Sequence, residues 1–263
     1  MGIRIKEQSA WRSQVLVTKA LLQREFITRF GKYKLGVIWV FVDPLLSVLV
    51  IGVLLGPLIG RSTGEIPYAF FLLCGFMLLN LCTGSINASL GAINANQGLL
   101  VFKKVQPLDP FIARFIFQLL TVGSALVIFC LTAAWFGTFL STDRLPEAAA
   151  CIIITWLIGS GIGLCSGIAV IKFKELEKII SYAMRPMIFV SAVLFPIDSI
   201  PPEIAKYLLY NPLVHTIEYL RMTLFPIYKA NNVNLYYPAA WALCSCVCGL
   251  MSYRNNRHFL TQR

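Results

Sequence analysis

The chain has 263 residues, of which 57% are hydrophobic and only 13% are charged, too little polar surface to cover a water-soluble globule of this size. Its 23 Lys and Arg against 12 Asp and Glu leave a net charge of +11. These basic residues sit in short segments between apolar runs, not on one folded face, which argues against nucleic acid as a partner and for the bilayer as the solvent.

Residues 1–36 lack the charged-then-apolar pattern of a cleavable signal, so the mature chain is expected to begin in the cytoplasm. Within this segment, from Trp11 to Phe30, Val15, Leu22, Phe26 and Phe30 share a helical stripe with Arg24 opposite. Lys19 interrupts the stripe, but the pattern still predicts an amphipathic helix lying in the cytoplasmic interface. Crossing about 30 Å of hydrocarbon takes roughly 20 apolar residues. Six such runs follow, at about 37–59, 67–86, 115–140, 148–171, 179–195 and 235–253. The expected fold is therefore all-α and polytopic, a six-span domain over 37–253 closed by a basic cytoplasmic tail at 254–263. Between the last two spans, Asn211 and Pro212 split residues 199–226 into two short helices. In the second, Leu213, Ile217, Leu220 and Leu224 form one stripe and His215, Glu218 and Met222 the other, the pattern of a piece that lies on or dips into the outer leaflet.

The basic residues fix the orientation. Eighteen fall in segments on one side of the six spans, and five (Arg61, Arg144, Lys206, Arg221 and Lys229) fall on the other. Positive charge stays inside, which places both termini in the cytoplasm.

Catalytic chemistry has little to work with. There is no phosphate-cradling GxxxxGK[ST] loop, no HExxH and no GxSxG elbow. Cys244, Cys246 and Cys248, at i, i+2 and i+4, point around a helix and cannot converge on one metal. His215 and Glu218 sit one turn apart, and a structural or gating pair is expected of them more than a shared proton. His258 lies in the basic tail. The spans are nearly free of charge, which argues against ion coupling. Asp43 is the exception, placed either near the cytoplasmic interface beside a local cation or at the mouth of a wet passage. Gly159, Gly163 and Gly167 give overlapping GxxxG patterns that allow close helix approach in the fourth span.

Three stretches together resemble the membrane subunits of ATP-binding-cassette exporters of bacterial capsular polysaccharide. The first is residues 29–46, with its basic start, Leu35-Gly36 followed by Trp39, and Asp43-Pro44-Leu45-Leu46. The second is residues 96–114, carrying Lys103-Lys104-Val105-Gln106-Pro107-Leu108-Asp109-Pro110. The third runs from Asn211-Pro212-Leu213-Val214-His215 to Arg221. The resemblance implies a bacterial inner-membrane homodimer that pairs with two copies of a nucleotide-binding ATPase. That partner would bind ATP and Mg, leaving this chain without cofactor or metal. The resemblance also implies a coupling loop that docks on the ATPase, with Lys103, Lys104, Val105, Pro107, Leu108 and Asp109 as its contacts; the lesser alternative is that Lys103 and Lys104 merely anchor the loop to lipid headgroups and fix topology.

The cargo implied is a lipid-linked anionic polysaccharide, handed on to periplasmic and outer-membrane export proteins. Arg24, Arg29, Lys32, Lys34 and Asp43 would form its cytoplasmic entrance, a role that positive-inside topology would also explain for the basic residues. A polymer must slide without sticking, so aromatic walls are expected; Trp39, Phe41 and Tyr182 are the candidates. His215, Glu218, Tyr219 and Arg221 would line or latch the outer exit. The alternatives left open are the same transporter class with O-antigen, teichoic acid or another glycolipid as cargo, a membrane enzyme acting on polyprenyl-linked sugars, and a structural anchor.

Overall fold

The structure, a computed structural model, describes residues 10–31, 36–59, 66–100, 105–135 and 143–261. All regular structure among them is helical. In chain order the helices are α1 (Ala10–Phe30), α2 (Gly36–Ile59), α3 (Tyr68–Leu90), α4 (Gln97–Leu100), α5 (Asp109–Trp135), α6 (Leu145–Lys172), α7 (Leu176–Ala183), α8 (Met187–Val190), α9 (Pro202–Leu208), α10 (Pro212–Leu224) and α11 (Tyr236–Thr261). By length and composition α3, α5 and α6 can each cross a membrane. At 1.5 Å per residue the 23 residues of α3 reach about 35 Å.

The core is built around α3. Its Phe71, Leu72, Leu78 and Leu81 are fully buried, packed on α2, α5, α6 and α10. Helix α6 lies between α3 and α11, and its glycines set both distances. A methyl group on Gly159 would stand 2.8 Å from Cys82 Cα, and one on Gly167 2.7 Å from the Ser89 carbonyl oxygen, both on α3. The expected small-residue stripe is thus a helix interface, reinforced by Ser89 Oγ donating to the Gly163 carbonyl at 2.6 Å. Gly161 points the other way: its missing methyl would meet the Ser245 carbonyl carbon of α11 at 2.4 Å.

Several boundaries differ from the sequence expectation. Helix α3 continues about one turn past 86, and α5 begins six residues before 115. Helix α11 carries on through 254–261, so the basic tail extends the last helix. The segment 179–195 is not one helix. It breaks at Arg185-Pro186 between α7 and α8, then turns through 191–196 with Ala192 at φ 51°. Proline lacks the N–H that would continue the ladder and disfavours helical geometry at the residue before it. Even laid end to end, residues 176–190 would reach only about 22 Å, short of the roughly 30 Å of hydrocarbon.

Helix α1 forms where expected and packs along α5, with the Phe30 and Phe117 rings 5.8 Å apart. Leu21 is buried, while Val15, Leu16, Phe26 and Ile27 are exposed. Of the apolar stripe read from the sequence, Val15 and Phe26 are exposed while Leu22 and Phe30 are half-buried.

Candidate functional site

Two polar clusters stand out. The first lies where α10 meets α3 and the turns after α8. The arginine at its centre, Arg221, is fully buried. Its Nη1 donates to the Ala192 carbonyl at 2.9 Å and to Glu218 Oε1 at 2.9 Å. Its Nη2 donates to the carbonyls of Val193 at 2.7 Å and Phe71 at 3.2 Å, and the guanidinium lies 3.4 Å over the Phe71 ring. Gly75 makes room for this, because a methyl there would come within 2.7 Å of Nη2. Non-helical backbone buried away from water needs partners for its carbonyls. Arg221 supplies them for Ala192 and Val193, in the fixed fork geometry of a guanidinium.

Glu218 is equally buried, and its second oxygen accepts the Tyr228 hydroxyl. Burial pushes the Glu218 carboxyl above its ordinary range, against the pull of Arg221 and Tyr228. Removing one donor from such a group costs about 1–3 kcal/mol. Tyr228→Phe is therefore expected to lower stability by that amount without changing α10's position, read by thermal unfolding of the purified protein in detergent.

His215 stands apart from this pair. Its Nε2 lies 2.9 Å from the Leu209 carbonyl, and its Nδ1 accepts the Asn234 N–H at 3.3 Å, a neutral tautomer with both nitrogens used. Burial lowers its pKa. The histidine and the glutamate have separate partners and share no proton. Asn211 caps α10 through Oδ1 and the Leu213 N–H at 3.0 Å, while its amide donates to the Val190 carbonyl and Ser191 Oγ. Of the four expected gate residues, only Tyr219 is part-exposed, beside Glu147 at the start of α6. His215, Glu218 and Arg221 are buried, and their hydrogen bonds tie α10 to the segments around it.

The second cluster joins α1 to the connection between α3 and α5. Arg24 donates from Nη2 to the Ala95 carbonyl at 2.7 Å and from Nη1 to Asn96 Oδ1. Asn96 is held by its own bond to the Ala92 carbonyl at 2.8 Å. Glu25 pairs with Arg114 at 2.7 Å, and Arg114 also donates to the Ala88 carbonyl at the end of α3. Gln14 donates to Asp109 Oδ1, whose other oxygen accepts the Gln106 N–H at 2.8 Å.

Among the expected coupling contacts, Asp109 is fully buried by these bonds and Pro107 is buried as well. Val105 and Leu108 are half-buried, and Lys103 and Lys104 lie outside the described residues. Among the described residues of this loop the exposed ones are Asn94, Ala95, Gln97, Gly98 and Gln106. Sequence reasoning passed over Gln14, Glu25 and Asn96, because a polar residue on a basic segment carries no sign of its partner.

Of the expected entrance, Arg24 is committed to the loop and Arg29 stacks 4.9 Å over Phe117. Lys32 and Lys34 lie outside the described residues, as do the side chains of Asp43, Trp39 and Phe41, whose backbone belongs to α2. Tyr182 is exposed on α7, with the Arg185 guanidinium 4.7 Å from its ring. It borders a groove of about 750 Å³ with Lys174, Glu175, Glu177, Lys178 and Arg185.

Comparison with known proteins gives these clusters a context. Residues 17–225 match the profile of the ABC-2 type transporter family. The polysialic acid transport protein KpsM of Escherichia coli is 32% identical over 251 residues, which is 94% of this chain and 96% of that protein. The capsule polysaccharide export inner-membrane protein CtrC of Neisseria meningitidis serogroup A is 29% identical, over 81% of this chain and 80% of its own length. The corresponding protein BexB of Haemophilus influenzae is 24% identical, over 78% and 77%.

Proposed function

Because the chain belongs to the ABC-2 type transporter family of membrane proteins, we propose that it is the permease subunit that carries capsular polysaccharide across the bacterial inner membrane, driven by a separate ATPase. The observation that carries this reading is the alignment, over nearly the whole chain, with a relative named for polysialic acid transport. Two shorter alignments with relatives named for capsule polysaccharide export point the same way.

In this reading two copies pair to form the passage and two ATPase copies bind ATP and Mg below it. The reading gives each copy six membrane passages, namely α2, α3, α5, α6, α11 and the stretch from α7 through the turns at 191–196, whose broken helices are too short to cross alone, and it puts both termini in the cytoplasm. The exposed apolar residues of α2, α5 and α11, such as Val53, Leu131 and Leu243, suit lipid or a second copy. The acidic, lipid-linked polymer would enter from the cytoplasmic leaflet near α1 and α2 and pass to periplasmic and outer-membrane proteins. Tyr182 and Arg185 offer an aromatic face and a cation to such a sugar.

Deleting the gene in a capsulated host tests this. Surface polysaccharide should disappear while polymer accumulates inside the cell, and a plasmid copy should restore export. Unchanged surface capsule in the deletion strain would overturn the proposal.

A further inference from the structure

Both ends of the α3–α5 connection are tied to one helix. Arg24 holds its beginning through Ala95 and Asn96, and Gln14 holds its end through Asp109, which in turn fixes the Gln106 amide. The ten-residue step from Gln14 to Arg24 places these two tethers about 15 Å apart along α1. A third tie, Glu25 to Arg114 to the Ala88 carbonyl, secures the α3 end from which the connection departs. Meanwhile Val15, Leu16, Phe26 and Ile27 on α1 are exposed, the residues that would sink the helix into the headgroup region. On the loop itself Asn94, Gln97 and Gly98 are exposed and take part in none of these ties.

Resting on the reading that this loop faces the ATPase, we infer that α1 is a brace seated in the bilayer surface, and that Arg24 and Gln14 position the loop so that movement of the ATPase reaches α3 and α5. A loop fixed at both ends to a rigid element transmits displacement. A loop fixed at one end bends, and the ATPase then turns over without moving the helices. Arg24 is in this view a positioning residue and not part of the substrate entrance.

The test uses the complete transporter, this chain with its ATPase subunit in lipid vesicles, and reads polymer translocated per ATP hydrolysed. Losing a coupling of 1–3 kcal/mol corresponds to roughly 5–150-fold. Gln14→Ala combined with Arg24→Ala should lower the ratio about tenfold. Each single variant should lower it less, and Arg24→Lys, which keeps one donor, should recover part of the loss. Lys19→Ala, an exposed position on the same helix, should leave the ratio alone.

A photocrosslinking residue at Gln97 should capture the ATPase in the unaltered transporter. If it does and the double variant keeps the full ratio, the brace is wrong while the docking face stands. If Gln97 captures no ATPase, the docking reading fails and the brace with it. Should the double variant not assemble, the single variants decide, and an unchanged ratio in both overturns the inference. A raised KM for glycolipid in Arg24→Ala, with the ratio unchanged, would return Arg24 to the entrance.

Discussion

Replacing Arg221 with alanine is expected to destabilise the protein by about 3–5 kcal/mol, the range for removing one partner of a buried ion pair. The pair itself is not the main reason. Exchanging both members of a buried ion pair for apolar residues is often neutral or stabilising, and on that account a Glu218→Leu, Arg221→Met double variant would be as stable as the parent. Here the guanidinium also caps the non-helical carbonyls of Ala192 and Val193, each worth about 1–3 kcal/mol when left unpaired in a buried place. The double variant should therefore remain destabilised by several kcal/mol, which separates backbone capping from charge pairing. The local readout is the labelling rate of Cys74, a fully buried thiol close to Arg221. In Arg221→Ala it should react with a membrane-permeant reagent far faster than in the parent. Parent-like stability in the double variant would show that the carbonyls find other partners.

Gly161→Leu should be nearly as damaging. The nearest atoms to an added methyl are the Ser245 carbonyl carbon at 2.4 Å and the Cys246 nitrogen at 2.6 Å, both backbone. Backbone cannot rotate aside as a side chain can, so α6 and α11 must separate. Overpacking a fitted core costs about 1–3 kcal/mol, and contact with main chain puts this case at the upper end. Even Gly161→Ala should lower the unfolding temperature in detergent. Gly123→Ala on α5, where nothing lies within 4 Å of the new methyl, should be neutral or slightly stabilising through helix propensity. Equal behaviour of the two alanine variants would mean that α6 and α11 are not in close contact in the membrane.

These two sites also show what a single sequence discloses. The glycines of α6 were legible because a four-residue spacing puts them on one helical face, and only packing explains that face. The opposite-facing Gly161 was not, since one glycine has no periodicity. Hydropathy located the long helices to within about two turns. It could not foresee the break after α7, because residues 179–195 are apolar but for Ser181, Arg185 and Ser191, and only Arg185-Pro186 signals the interruption. Arg221 counted in the sequence as one more outward charge and as a gate residue. Its burial depends on Gly75 and Phe71, about 150 positions away, and the i, i+3 spacing from Glu218 was the one local hint. The same limit hid the grip of Arg24 on Ala95, a contact 71 residues distant in sequence.

The most direct measurement is translocation in reconstituted vesicles holding this chain with or without its ATPase subunit, supplied with lipid-linked acidic polysaccharide on the ATPase side. The account predicts ATP-dependent delivery of polymer to the far side when both proteins are present and none from this chain alone. Delivery, or chemical turnover of the glycolipid, by this chain without an ATP-hydrolysing partner would contradict it.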